Sequence, residues 1–266
     1  MYRAHFDPLW SLDAWRIQAR AAWRAQVNPD AIHWSDSGQE GLFARTAVTQ
    51  LPPVTAAPRV PSDFLSLAAT VLCNRSVQVP AVLYRMLWRI AQGERTLLMH
   101  LTDPDVHRVR EWRQAVRRDS HKMKAFVRFR VLSKEKEAYV AWFEPEHYIL
   151  ERVAPFFVRR FSSMQWAILT PYRSVHWDGQ TLCFGAGADP TVLPPDNAQQ
   201  DLWLTYYAHI FNPARLNSRV MCQQMPKKYW KNLPEAELLP QLIRDAGPRV
   251  HRMLDRQEVN TLKKIK

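Results

Sequence analysis

The run HKMKAFVRFR at 121–130 is the first place in this sequence where reactive and charged side chains concentrate. His121 is a side chain whose reference pKa of about 6.5 lets it give or take a proton near neutrality. Lys122 and Lys124 carry amines that form Schiff bases with carbonyl carbons once they are neutral. Arg128 and Arg130 carry guanidinium forks suited to phosphate or carboxylate. Further on, FEPEH sets Glu144, Glu146 and His147 close together. A carboxylate beside an imidazole suits acid/base work, although Pro145 among acidic residues also fits ordinary helix-start chemistry. A third cluster, MPKKYWKNLPE, combines Lys227, Lys228 and Lys231 with Tyr229 and Trp230. Cations beside rings hold single strands and flipped bases. The same residues also suit a turn whose Trp230 is core and whose lysines are wet.

These groups need elements to position them. Asp103-Pro104 supplies an N-cap and an N1 proline for a long helix. Val106, Val109, Trp112, Val116 and Met123 form its apolar stripe, while Arg110, Arg113, Arg117, His121 and Lys124 recur at three- and four-residue spacing on another face. The alternation of Val127, Phe129 and Val131 with charged neighbours then predicts a strand near 127–132, followed by another near 138–143. The short turn between them predicts a hairpin. That hairpin and the helix before it form a corner expected to turn His121, Lys124, Arg128 and Arg130 into one electropositive cleft facing Glu144 and His147.

Elsewhere the periodicity predicts a helix in SLDAWRIQARAAWRAQ, a short strand at AIHW, and helices near 62–73, 77–92, 147–160, 199–211 and 236–254. Strands are expected near 166–170, 174–177 and 181–184, with the Asp-Gly of HWDG marking a tight turn. The fold class is therefore α+β: an antiparallel sheet of about five strands flanked by helices. Prolines and lost periodicity divide the chain into a small N-terminal lobe at 1–44, a Pro-rich linker or loop at 45–60 and a main domain at 61–266.

Charge distribution narrows the partners. The net charge is +12, and it sits in two segments, +7 at 107–130 and +6 at 201–266. Such clustering points to a polyanion, with counterion release supplying affinity. The three cysteines, Cys73, Cys183 and Cys222, show no zinc or iron–sulfur spacing. No metal site is expected in this chain. Walker A, HExxH, GxSxG and GxGxxG motifs are all missing. The N-terminus has no signal-peptide pattern and no apolar run is long enough to span a bilayer, so a soluble cytoplasmic protein with no membrane partner is expected.

The ordered set HKMKAFVRFR, FEPEH, APFFVRRF, WAILTP, HWDG, FNPARLN and MPKKYWKNLPE resembles the bacterial DNA-repair and DNA-metabolism family built on the DUF4130 domain. The resemblance runs over nearly the whole chain and is weakest at 41–60 and in the last dozen residues. It implies a radical-SAM partner similar to the spore photoproduct lyases, holding the iron–sulfur cluster and S-adenosylmethionine that this chain lacks. Many members carry a uracil-DNA-glycosylase-like domain, which this sequence does not contain. The chain is then a stand-alone form or part of a longer product, and a glycosylase-like protein is a possible further partner. No catalytic mechanism comes with the resemblance.

Three functions fit these residues. The leading one is a protein that binds damaged or single-stranded DNA through Arg110, Arg113, Arg117, Lys122, Lys124, Arg128, Arg130, Lys227, Lys228, Tyr229, Trp230 and Lys231 and acts with the radical-SAM enzyme. The second is a lesion-processing glycosylase or lyase, with Lys122 or Lys124 as nucleophile and His121, Glu144 or His147 moving protons. The third is an adaptor whose basic face meets an acidic protein. Whether the chain is an enzyme stays open at this point.

Overall fold

A computed structural model describes residues 1–35, 46–133, 137–192 and 216–248, together with residues 204, 208 and 250. The chain divides into two compact units: residues 1–121 with 145–153, and residues 122–144 with 154–266. The fold is α+β.

The first unit begins with strand β1 (Tyr2–His5), which pairs in parallel with β2 (Ile32–Ser35). Between them runs α1 (Leu12–Arg24), capped where the Ser11 hydroxyl accepts the Ala14 N–H at 3.2 Å. Trp15, Ala19 and Ala22 are buried along one face of α1, at the spacing an amphipathic helix requires. The proline-rich stretch is tied to this unit where it is described. Val54 and Thr55 N–H donate to the Arg24 carbonyl, and the Trp23 indole donates to Ala56.

Helices α2 (Ser62–Val71) and α3 (Val79–Ala91) complete the core, and Gly93, at φ 122°, ends the second. Only glycine takes that conformation without strain. The Trp15 indole donates to the Pro80 carbonyl and the Tyr84 hydroxyl to Val27, so both buried rings satisfy their polar ends. Helix α4 (Pro104–Phe126) starts as its Asp103-Pro104 pair predicts, with Asp103 Oδ1 accepting the N–H groups of Asp105 and Val106. Val106, Val109, Val116 and Met123 are buried, which confirms the apolar stripe.

The second unit is built on a five-stranded sheet in the order β3 (Arg130–Ser133), β4 (Ala138–Trp142), β5 (Gln165–Leu169), β6 (Arg173–Trp177), β7 (Leu182–Ala186). The expected β3–β4 hairpin is present, with Arg130 opposite Val140. The sheet is mixed, however, because β4 and β5 run parallel while the other pairings are antiparallel. The connection from β4 to β5 passes through helix α5 (Leu150–Arg160), and a crossover of that length permits parallel neighbours. The β6–β7 turn follows HWDG: Gly179 takes φ 98°, and Asp178 Oδ1 accepts from Gln180 and Thr181. Phe129, Phe157, Phe161 and Trp166 pack as an aromatic cluster with centroids 5.3 to 6.3 Å apart.

Two short helices, α6 (Ser218–Gln224) and α7 (Leu239–Arg244), flank the 3-10 turns Lys227–Asn232 and Pro234–Glu237. The helix expected at 199–211 lies outside the described residues except for 204 and 208, as does the end of the one expected at 236–254. Among the described residues, no helix is long and apolar enough to cross a membrane.

Candidate phosphate-binding site

Arg110, Arg113 and Arg117 share one face of α4, and in the first unit that face lines a cavity of about 570 Å³. Helix α2 supplies the opposing wall through Asp63, Ser66, Leu67 and Thr70, whose spacing of three, four and seven places them on one helical face. Leu98 and Val106 add apolar surface, and Arg152, from the first turn of α5, brings a fourth guanidinium. One carboxylate, Asp63, therefore stands against four arginines.

None of the four takes part in an ion pair among the described residues. The contrast with nearby arginines is informative. Arg85 holds Asp105 through two bonds of 2.8 and 2.6 Å, and Arg89 holds Glu94 and Asp103. The Arg89 bond, followed by backbone N–H donors, keeps the Asp103 carboxyl below its ordinary value. Those pairs fasten α3 to the start of α4. Among the described residues the cavity arginines hold no carboxylate, which leaves their charge open to an anion. A phosphate oxygen set among several guanidiniums is the chemistry this geometry fits.

Arg152 escaped sequence reasoning because it lies in a segment with an acidic net charge and on a different helix from the other three. The only hint was its place in ERVAPFFVRR, where it precedes a run quoted above as a family motif.

The remaining predicted residues fall as follows. His121 is exposed on α4 and belongs, with His147, to the first unit. The His147 backbone N–H donates to the buried carboxylate of Asp119 at 2.9 Å. Glu144 belongs to the second unit and accepts the Trp142 indole N–H at 2.9 Å. Helix α5 starts at Leu150, so Pro145 is not its first residue.

In the second unit Arg128 is committed elsewhere: it donates to Glu235 at 2.7 Å and to the carbonyls of Ala125 and Val127. Arg130 sits in the β3–β4 ladder. Lys124 is exposed with its ammonium 5.2 Å from the Phe156 ring. Lys122 donates to the Gln224 carbonyl, and burial, then the charge of Lys228, lowers its pKa.

Tyr229 requires a correction. It is 3% exposed and packs against Phe143 at 5.2 Å and Phe126 at 5.5 Å. No base can reach its ring. Trp230 is half-buried, its indole bonded to the Met225 carbonyl, while Lys227 and Lys228 lie exposed over the Trp230 and Tyr229 rings. Lys231 occupies the same 3-10 turn.

Among the described residues, no group of three or more His, Cys, Asp or Glu is placed to hold a metal ion. Burial pushes the Cys73 thiol up to about 11, so it stays protonated at neutral pH.

Fold and cavity together define a basic α+β protein with a concave, arginine-lined cavity. A family model described as a domain of unknown function, DUF4130, matches residues 77–235, more than half of the chain, and the chain belongs to that family. No curated protein and no solved structure matches it.

Proposed function

We infer that this protein binds DNA through the phosphates of a damaged or single strand and serves a repair reaction carried out with a radical-SAM partner. The observation that supports the DNA reading is the convergence of Arg110, Arg113, Arg117 and Arg152 on one cavity without ion-pair partners among the described residues. The repair context and the partner rest on the sequence resemblance. In this scheme the iron–sulfur cluster and S-adenosylmethionine belong to the partner, and this chain holds the strand.

The direct test is binding of the purified chain to labelled oligonucleotides across a salt series. If four phosphates are neutralised, log K against log salt slopes at about −3.6 on duplex and about −2.8 on single strands. Absence of binding at low salt would move the protein to the adaptor class.

A second reading, a lesion lyase, is favoured by one observation. Lys122 is an amine with a lowered pKa beside a second lysine, the arrangement that makes an amine nucleophilic. Its attack on the C1′ aldehyde of an abasic site expels water and leaves an imine. Borohydride trapping on abasic DNA then yields a covalent adduct that disappears in Lys122→Ala and persists in Lys124→Ala. No adduct with the wild-type chain removes the lyase reading.

A further inference from the structure

Four guanidiniums around one cavity demand more of a ligand than a row of arginines on an open face. Arg110, Arg113 and Arg117 rise over about 10.5 Å along α4, at 1.5 Å per residue. On an open face, a row of that length could follow a backbone with one arginine to each linkage. Here the row faces α2 across about 570 Å³, and Arg152 joins the lining from α5. Among the described residues of that lining, Asp63 is the single acid.

The oxygens of the ligand decide what such an enclosure holds. A guanidinium fork bonds two oxygens side by side. A phosphodiester within a strand has two free oxygens, hence one such edge, and a single negative charge. A phosphate monoester has three oxygens, hence three edges, and a charge of about −1.5 to −2 at neutral pH. Several forks on one cavity therefore match a monoester and exceed what one diester accepts. In DNA a monoester occurs only where a strand ends. Leu67, Leu98 and Val106 offer apolar surface to the sugar beside it, and Ser66, exposed in the lining, adds a hydroxyl. The Thr70 hydroxyl donates to the Ser66 carbonyl at 3.2 Å, so its proton is already used.

We propose that this cavity reads the end of a DNA strand, holding a terminal phosphate monoester between its arginines while the remaining guanidinium charge meets the linkages behind it. The proposal rests on the DNA reading above and adds which phosphate the cavity takes. Strand ends are what breaks and excisions leave, so such a site directs the protein to an interrupted backbone.

The test is fluorescence anisotropy of the full chain with single strands of one sequence, each carrying an internal label. They end in a 5′-phosphate, a 3′-phosphate or hydroxyls alone, and are compared at one salt concentration. At least one phosphorylated strand binds about tenfold or more tightly than the hydroxyl-ended strand, the gain from an added charge-assisted contact. Which end gives the gain assigns the polarity. Methylating that terminal phosphate makes it a diester and cancels the gain. Arg113→Gln with Arg152→Gln cancels it too. Arg113→Lys with Arg152→Lys keeps the charges, removes the forks and loses most of it. Arg20→Gln, at an exposed position of α1 outside the cavity, leaves the gain unchanged. Equal binding of all three strands overturns the proposal and leaves the DNA reading standing. A gain that survives methylation or either pair of substitutions also overturns it, because the end is then recognised elsewhere. Failure of every strand to bind at low salt rejects the DNA reading and this proposal with it.

Discussion

Replacing Arg128 with alanine will destabilise the second unit by about 3 kcal/mol, the scale of breaking a buried ion pair. Its side chain is 31% exposed, but its partner Glu235 is only 3% exposed. Without the guanidinium, Glu235 remains a buried carboxylate deprived of that cation. The same guanidinium bonds the Ala125 carbonyl in the last turn of α4, so the end of that helix loses a partner as well. Denaturation followed by tryptophan fluorescence will report the loss. Glu235→Gln in the Arg128→Ala background will recover part of it, because an uncharged amide is less costly to bury than a carboxylate that has lost the Arg128 guanidinium. A loss below about 1 kcal/mol, as for an exposed surface pair, would show that the pair is not structural. The result bears on function too, since reduced DNA binding by Arg128→Ala would reflect unfolding rather than a lost phosphate contact.

Arg128 also shows where sequence reading stopped. Alternation in HKMKAFVRFR led to a strand and a hairpin, because a two-residue period and a short turn are local properties; the hairpin is present, but its first strand begins at Arg130 rather than at 127. Its partner Glu235 is more than a hundred residues away, in a stretch read for its lysines and rings. Nothing local distinguishes a guanidinium bound to a distant carboxylate from one waiting for phosphate. Tyr229 failed as a base platform for a similar reason. A ring beside lysines looks the same in sequence whether Phe126 and Phe143 cover it or water does.

Helix α4 was legible almost to the residue, since its cap, its N1 proline and its apolar stripe all agree. The parallel β4–β5 pairing was not legible, because it depends on where a long connection returns. Three cavity arginines were read from their helical spacing. The fourth was not, since only tertiary structure brings Arg152 and the hydroxyls of Ser66 and Thr70 to the same cavity.

Changing Arg110, Arg113, Arg117 and Arg152 together to glutamine will flatten the salt dependence of DNA binding while leaving the fold intact. Each neutralised phosphate contributes about 0.9 to the duplex slope, so removing four contacts lowers its magnitude by about 3.6. Between about 50 and 200 mM salt, the wild-type protein then loses roughly a hundredfold more affinity than the variant. All four side chains are exposed and none is in an ion pair among the described residues, so the substitutions remove charge without opening the core. Such surface changes usually shift stability by no more than about 0.5 kcal/mol each. Glutamine keeps much of the stem and retains hydrogen-bonding capacity, which confines the difference to charge. Lys227→Gln with Lys228→Gln serves as a comparison that removes exposed charge from the other unit. If these lysines are solvated surface, their loss moves the slope far less than loss of the four arginines. Parallel salt lines for the wild type and the arginine variant would mean that the phosphates are bound elsewhere, and equal flattening by the lysine pair would mean that the basic surface acts diffusely rather than through this cavity.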